Sequence, residues 1–316
     1  MKRFLCTLAA IATLTVSLPV ALSAGGNPVY DFLRVTMNAR AAALGNTFLT
    51  MRNDPTLLFA NPGALSTLEA PSASVGFVKH LLDVNAGYAV YGQEMPDIGW
   101  LSAGVVYLNY GSMERTDKFG NLLGGTFGAS DLAFSVGYGN RAGDLSYGAA
   151  LKLIYSYIDD YSSAGIALDA GVSYLIPDEQ IVLAAGILHA GTQISAFNTV
   201  KEDLPLDVRI GVGKKLEHLP LTVMLNFHKL NEDSDGFFDR FANYSLGGEF
   251  DLSESLRARV GYYNEGRREW KIGNSAKLAG FSAGFGLTVA NFVVDYAWNS
   301  MGEIGAMHRF SLGTTF

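Results

Sequence analysis

From Ser72 to the end of the chain, large apolar side chains return at every second position in segments of about ten residues. A period of two belongs to a β-strand with one apolar face, because successive side chains point to opposite sides of the backbone. Tyr147, Ala149, Leu151, Leu153, Tyr155 and Tyr157 share one face against Ser146, Gly148, Ala150, Lys152 and Ser156. Leu132, Phe134, Val136 and Tyr138 oppose Asp131, Ser135 and Gly137, and Phe310, Leu312, Thr314 and Phe316 oppose Arg309, Ser311, Gly313 and Thr315. The pattern predicts strands near 72–80, 84–92, 99–110, 130–139, 145–157, 165–176, 180–190, 204–215, 220–229, 242–250, 256–264, 278–288, 292–299 and 304–316. The chain therefore reads as all-β, with about fourteen antiparallel strands.

Two architectures alternate in this way, a soluble sandwich and a membrane barrel. A sandwich turns its apolar face inward and shows water a face rich in lysine, glutamate and threonine. Here the second face carries mainly glycine, alanine and serine with scattered charges, which suits the crowded polar lumen of a barrel whose apolar face meets lipid. Composition agrees. Only 17% of the 316 residues are charged while 49% are hydrophobic, glycine reaches 36 residues and proline only 9. Such a charge content falls below the roughly 25% of a soluble domain. The expected architecture is a transmembrane β-barrel.

The connections divide into two kinds. Those at 93–98, 140–144, 177–179, 216–219, 251–255 and 289–291 are short, whereas 111–129, 191–203, 230–241 and 265–277 are long. Bacterial outer-membrane barrels pair short periplasmic turns with long extracellular loops. This parity puts the short turns and Phe316 on the periplasmic side. Phe310, Leu312 and Phe316 on the outer face of the last strand resemble the signal that the barrel-assembly machinery recognises.

Ahead of the strands, Met1-Lys2-Arg3, an apolar stretch from Phe4 to Val20 and the small residues Ala21 to Ala24 read as a secretory signal peptide over 1–24. An N-terminal membrane anchor is the competing reading, disfavoured by the shortness of the stretch. Cys6, the only cysteine, lies inside it, so removal leaves no thiol, disulfide or thiolate metal site. Residues 25–71 do not alternate. They hold the helix-prone Asn38-Ala39-Arg40-Ala41-Ala42-Ala43-Leu44-Gly45 and the breakers Asp54-Pro55 and Asn61-Pro62-Gly63, and read as a small plug. The division is 1–24 signal peptide, 25–71 plug and 72–316 barrel.

The residues carry little sign of catalysis. No nucleophile elbow, phosphate loop or paired-cysteine motif occurs, and an enzyme is not expected. His80, His189, His218, His228 and His308 are scattered without ligand spacing, and no metal or cofactor is expected. Glu232-Asp233-Ser234-Asp235 lacks the spaced oxygens and closing glutamate of a Ca²⁺ loop. The net charge of −7, with no basic run, excludes nucleic acid as a partner. The informative set is the charges on the lumen face: Lys152, Asp169, Asp207, Arg209, Glu249, Arg257, Arg259, Asp295 and Arg309. Their mixed signs favour a polar network that holds the plug, with Arg40 as the plug-side partner, over a selectivity lining for one ion type.

Arg40 in its small-residue helix, Asp54-Pro55 and Asn61-Pro62 followed by a small residue resemble the N-terminal hatch of the long-chain fatty acid transporter superfamily, whose members are fourteen-stranded barrels. Gly26-Asn27-Pro28-Val29-Tyr30-Asp31-Phe32-Leu33 leading to Ala39–Gly45 is similar to the opening of its PorV/PorQ family, barrels of the type IX secretion system. Tyr107-Leu108-Asn109-Tyr110-Gly111, Thr116 to Asn121, Gly137-Tyr138-Gly139, Leu153 to Ser156, Gly247 to Phe250 and Ala279 to Gly286 extend the likeness over nearly the whole mature chain. It departs at Gly63, where the family more often has alanine, and in a shorter 230–241 loop.

The resemblance implies an outer-membrane component that anchors other type IX secretion proteins at the cell surface through its extracellular loops, in contact with outer-membrane lipid and lipopolysaccharide. The wider superfamily implies an alternative, a channel for hydrophobic compounds such as long-chain fatty acids, with the plug as gate and a kink in a strand as exit. An apolar pocket facing the lumen would favour the second, and the inferred wall positions, mainly glycine, serine and charge, argue against one.

Overall fold

The computed structural model describes residues 28–79, 83–232, 236–273 and 275–316. The expected signal peptide at 1–24, His80 and residues 233–235 lie outside them. Fourteen strands form one closed antiparallel barrel. They are β1 (Ser72–Lys79), β2 (Asn85–Met95), β3 (Gly99–Thr116), β4 (Leu122–Ala142), β5 (Leu145–Ile158), β6 (Tyr161–Ile176) and β7 (Ile181–Ser195). The second half comprises β8 (Asp207–Lys215), β9 (Leu221–Phe227), β10 (Tyr244–Asp251), β11 (Leu256–Tyr263), β12 (Phe281–Val289), β13 (Phe292–Ser300) and β14 (Ala306–Thr315). Each strand pairs with its neighbours in sequence, and β1 closes the ring against β14, Ser72 opposite Thr315 and Lys79 opposite His308.

The register sends the two faces where the alternation predicts. Phe134, Leu151, Leu153, Tyr155, Phe285 and Phe310 stand exposed on the outside, while Ser135, Ala150, Lys152, Ser156, Arg259 and Arg309 are buried on the inside. Phe316 extends this outer face: it is 72% exposed, its ring meets Tyr91 edge-on, and its amide donates to the Pro71 carbonyl.

Strand ends differ from expectation at one place above all. Residues 111–129 do not form a long loop. β3 and β4 run on through Ser112 opposite Gly128 and Thr116 opposite Leu122, leaving a five-residue tip at 117–121. Among the described residues neither outer edge of this extension continues a strand ladder, because β2 stops opposite Asn109 and β5 opposite Ala129; the Asp159 amide at the β5–β6 turn donates to the Gly128 carbonyl at 3.0 Å, and Asp159 pairs with Arg115. Gly111, Gly124 and Gly125 made the stretch read as loop, yet all three sit at positive φ within the hairpin, where glycine costs nothing. At the same end, 265–277 is partly ordered by a short helix, Asn264–Glu269.

A barrel of eight strands is about as wide as its own side chains can fill, so fourteen leave a lumen that something else must occupy. The plug occupies it. It is built from α1 (Ala39–Ala43) and three short 3₁₀ segments, Asp31–Arg34, Pro55–Phe59 and Pro62–Thr67. Leu44, Leu57, Leu58, Ala64 and Leu65 are wholly buried among them. Asn38 caps α1, its side-chain oxygen accepting from the Ala41 amide at 2.9 Å, and Asp54 caps the second segment through the Thr56 amide.

Candidate functional site

The candidate functional region is the contact between plug and wall. Two kinds of residue make it: small ones that let backbones touch, and charged ones that pair across it.

The Asn61-Pro62-Gly63 corner lies directly on the backbone of β4, β5 and β6. A Cβ placed on Gly63 would fall 2.3 Å from the Gly171 carbonyl oxygen, and one on Gly171 would fall 2.1 Å from Asn61 Oδ1. This close approach accounts for a glycine at position 63. Asn61, with no exposed surface, donates from Nδ2 to the Leu49 carbonyl at 2.9 Å and to Ser173 Oγ at 2.8 Å, joining plug to wall. Pro62 sets the corner, its carbonyl facing Gly139 and Gly148.

On the other side, α1 lies flat against β11 to β14. Its alanines Ala39, Ala42 and Ala43 meet Ala297, and the helix termini bond to the wall: the Ala39 amide donates to Ser311, Ser282 donates to the Ala43 carbonyl and Asn299 to the Ala42 carbonyl. From this helix Arg40 reaches Glu249 on β10 with two parallel bonds, Nε to Oε2 at 2.9 Å and Nη2 to Oε1 at 2.7 Å, and lies 3.5 Å from Asp54. Arg259, buried on β11, shares Glu249 at 2.6 Å and donates to Asp295 at 2.5 Å. Arg309 donates to the Thr36 carbonyl at 2.8 Å. Three guanidinium groups and three carboxylates thus balance within the barrel. Burial pulls the Arg40 guanidinium down, and the Glu249 and Asp54 charges outweigh it and raise it. Burial raises the Asp54 carboxyl above the usual range, against the opposing pull of Arg40 and Thr56.

Not all the charges read as plug-holding belong to this network. Asp169 pairs with Lys152 at 2.5 Å, strand to strand within the wall, and Asp207 pairs with Arg209 at 2.6 Å on the same strand. Arg257 lies at the short-turn rim, a third exposed, 3.3 Å from Asp251, and bonds no plug residue among the described residues. These three sites depart from expectation because register decides partners, and same-face charges on neighbouring strands are nearer to one another than to the plug.

Lys152 and Asp169 mark an irregularity that residue-by-residue reading missed. Leu168 faces Ala190 while Ala170 faces Ile187, so Leu188 and His189 together oppose Asp169 in a bulge. His189 is 1% exposed and lies at φ +61°. Its amide donates to Asp169 Oδ1 at 2.8 Å and its Nδ1 accepts from Lys152 Nζ at 3.0 Å. Its Nε2 has no hydrogen-bond partner among the described residues. The sequence signal was the adjacent pair Ile187-Leu188, which breaks the period of two.

Beyond the bulge the wall parts. Pairing of β7 with β8 ends at Leu188 opposite Asp207, and Ala190 to Ser195 pair with β6 alone. The start of the plug leans on the place left: the Val29 amide donates to the Asp203 carbonyl, Tyr30 bonds Ser163 at 2.5 Å, and Arg34 bonds the Leu206 carbonyl and Glu232. Between this segment and the wall is a cavity of about 80 Å³. Phe32, Met37, Phe48, Phe59 and Val106 give it an apolar lining, with Lys152, His189, Arg209 and the unpartnered hydroxyl of Ser135 on its polar side. The apolar pocket that the wall positions argued against therefore exists. Its apolar side chains come mostly from the plug, which an inventory of wall positions leaves out.

No family model matches the sequence, and no curated protein matches it. Solved structures do. The chain is similar to the Ralstonia pickettii toluene transporter TbuX, with a TM-score of 0.58 and 12% identity, covering 88% of this chain and 98% of that one. A Pseudomonas aeruginosa FadL homologue gives a TM-score of 0.54 at 11% identity over 89% and 98%. The CymD monoaromatic hydrocarbon channel gives 0.56 at 13% over 89% and 98%. At these identities the likeness is one of fold alone.

Proposed function

We propose that this chain is an outer-membrane barrel that admits hydrophobic compounds between plug and wall, the reading held above as the alternative. The observation that carries it is the apolar cavity beside His189, placed where β7 parts from β8. Its fold relatives are described as a toluene transporter and a monoaromatic hydrocarbon channel, which supports the same reading. A dry apolar cavity of about 150 Å³ holds benzene. At about 80 Å³ this one accepts a compound only when the Arg34–Met37 segment moves, so the plug acts as the gate. Liposomes carrying the purified barrel should take up labelled toluene or decanoate faster than empty ones. Met37→Trp, which fills the cavity, should lower that uptake at least five-fold while the barrel keeps its heat-dependent gel shift. Equal uptake by the variant, or by empty liposomes, refutes the reading.

A second reading is favoured by the β3–β4 hairpin. Its tip extends past the neighbouring strands with Phe119, Leu122 and Leu123 at 66–77% exposure, and with the PorV/PorQ resemblance it fits an anchor for type IX secretion proteins. Recovery of such proteins with the tagged barrel, lost when 112–128 is trimmed, supports this reading; recovery of the barrel alone refutes it.

A further inference from the structure

Arg34 is the one charged side chain in the plug segment 32–37, and it is fastened to residues outside the plug. Its side chain is 14% exposed. Nη2 donates to the Glu232 carboxylate at 3.0 Å and to the Leu206 carbonyl at 3.2 Å, and Nη1 lies 3.4 Å from Asp31. The Asp31 side chain is 66% exposed, and an ion pair so open to water holds little. Nε is buried with no hydrogen-bond partner among the described residues. A buried guanidinium with one donor unmet stays in place only against a cost, and Glu232 supplies the charge that holds it there.

Glu232 is itself anchored by the residues before it. The β8–β9 ladder ends at Ile210 opposite Phe227, and residues 229–231 continue along the free start of β8. The Leu230 amide donates to the Val208 carbonyl at 3.0 Å and the Lys229 amide to Asp207 Oδ1 at 2.8 Å. Asn231 spans the backbone of 206–208, accepting from the Val208 amide at 2.9 Å and donating to the Leu206 carbonyl at 3.1 Å. Lys229 adopts φ +54°, which residues with a side chain rarely do, and its Nζ bonds Glu265 on the helix Asn264–Glu269. The Leu206 carbonyl accepts from Asn231 and Arg34 alike, so strap, wall and plug meet at one atom.

We propose that residues 229–232 form a latch on the plug. Glu232 holds Arg34, and with it the segment Arg34–Met37 that lines the cavity beside His189; release of this one bond frees the segment while the barrel stays closed. The proposal rests on the uptake reading for what the opening admits, and it adds what opens.

The opening can be read without transport. Cys6 is the only cysteine, so in a Cys6→Ala background Met37→Cys places a single thiol in the cavity lining, where Met37 is 5% exposed. Its rate of reaction with N-ethylmaleimide is measured on the purified full barrel in non-ionic detergent, with the heat-dependent gel shift as the check on folding. Glu232→Gln should speed the reaction at least ten-fold. Arg34→Gln should do the same, and adding Glu232→Gln to it should change nothing further, since both remove one contact. Glu179→Gln, which removes the partner of Lys214 at the short-turn end, should leave the rate as it was. A nitroxide on Val35→Cys, at the exposed edge of the same segment, should gain mobility in Glu232→Gln. An unchanged rate and nitroxide spectrum in Glu232→Gln, additive effects of the two latch variants, or equal acceleration by Glu179→Gln overturns the proposal. Faster reaction without faster toluene uptake supports the latch and counts against the uptake reading instead.

Discussion

Arg40 of the plug holds both carboxylate oxygens of Glu249 on the wall, and the same carboxylate accepts from Arg259, so one acidic group is shared by two guanidiniums from different parts of the fold. The two partners should respond unequally to mutation. Breaking a buried pair by removing one side costs about 3–5 kcal/mol because the other charge stays uncompensated. Arg40→Met leaves Glu249 still paired with Arg259. Glu249→Gln leaves two arginines without their shared anion and should lower the temperature of the heat-dependent gel shift further than Arg40→Met does. If Arg40→Met proves the more damaging change, the shared-anion account is wrong.

Lys152 and Asp169 pair within the wall, so their loss should act on the barrel and leave the plug seated. Lys152→Met strands a buried carboxylate and should cost about 3–5 kcal/mol. Adding Asp169→Leu should recover most of it, since an apolar pair removes both desolvation terms. Thermal unfolding in detergent reads the cost. Protease cleavage in the plug segment 28–71 should not rise in the single variant until the barrel itself unfolds.

Gly63 has no room for a side chain, since its Cβ would meet the Gly171 carbonyl at 2.3 Å. Gly63→Ala should therefore cost about 1–3 kcal/mol, as overpacking does. The displaced plug should also become a protease substrate at temperatures where the parent resists. An alanine variant with unchanged stability and protease resistance would show that the corner sits looser than these distances.

The helix Asn264–Glu269, α2, is tied to the neighbouring loop by pH. Burial raises the Glu265 carboxyl, but the Lys229 charge and hydrogen bond, with the Tyr263 hydroxyl, outweigh it and hold the group below the usual range. A depressed carboxylate binds its proton more readily in the unfolded state. The stability it contributes is therefore full above the free-glutamate pKa of about 4.3 and is lost as pH falls through the lower folded value. Protection of the amides in 264–280, taken relative to their intrinsic exchange rates, should fall on acidification below about pH 4.3. In Glu265→Gln that protection should already be low at neutral pH and no longer change on acidification. Protection in the parent that stays constant as pH falls would remove the pair from this role.

What the chain determines by itself is what depends on near neighbours in sequence. The alternation of Tyr147 to Tyr157 sets which face meets lipid, the alternate short turns set the parity of the strands, and Asn38, Asp54 and Asn61-Pro62 mark the corners of the plug, because each rests on local backbone geometry. Tertiary structure decides what depends on register. Whether Asp169 pairs with Lys152 or with the plug is a matter of which strands lie opposite each other, and one slip of the sheet would exchange the faces. The hairpin at 111–129 forms because cross-strand bonds hold glycines that locally read as loop. The cavity beside His189 arises only when plug side chains distant in sequence close on a bulge in the wall. Its apolar lining follows from the packing of two separate segments, which alternation within either one does not encode.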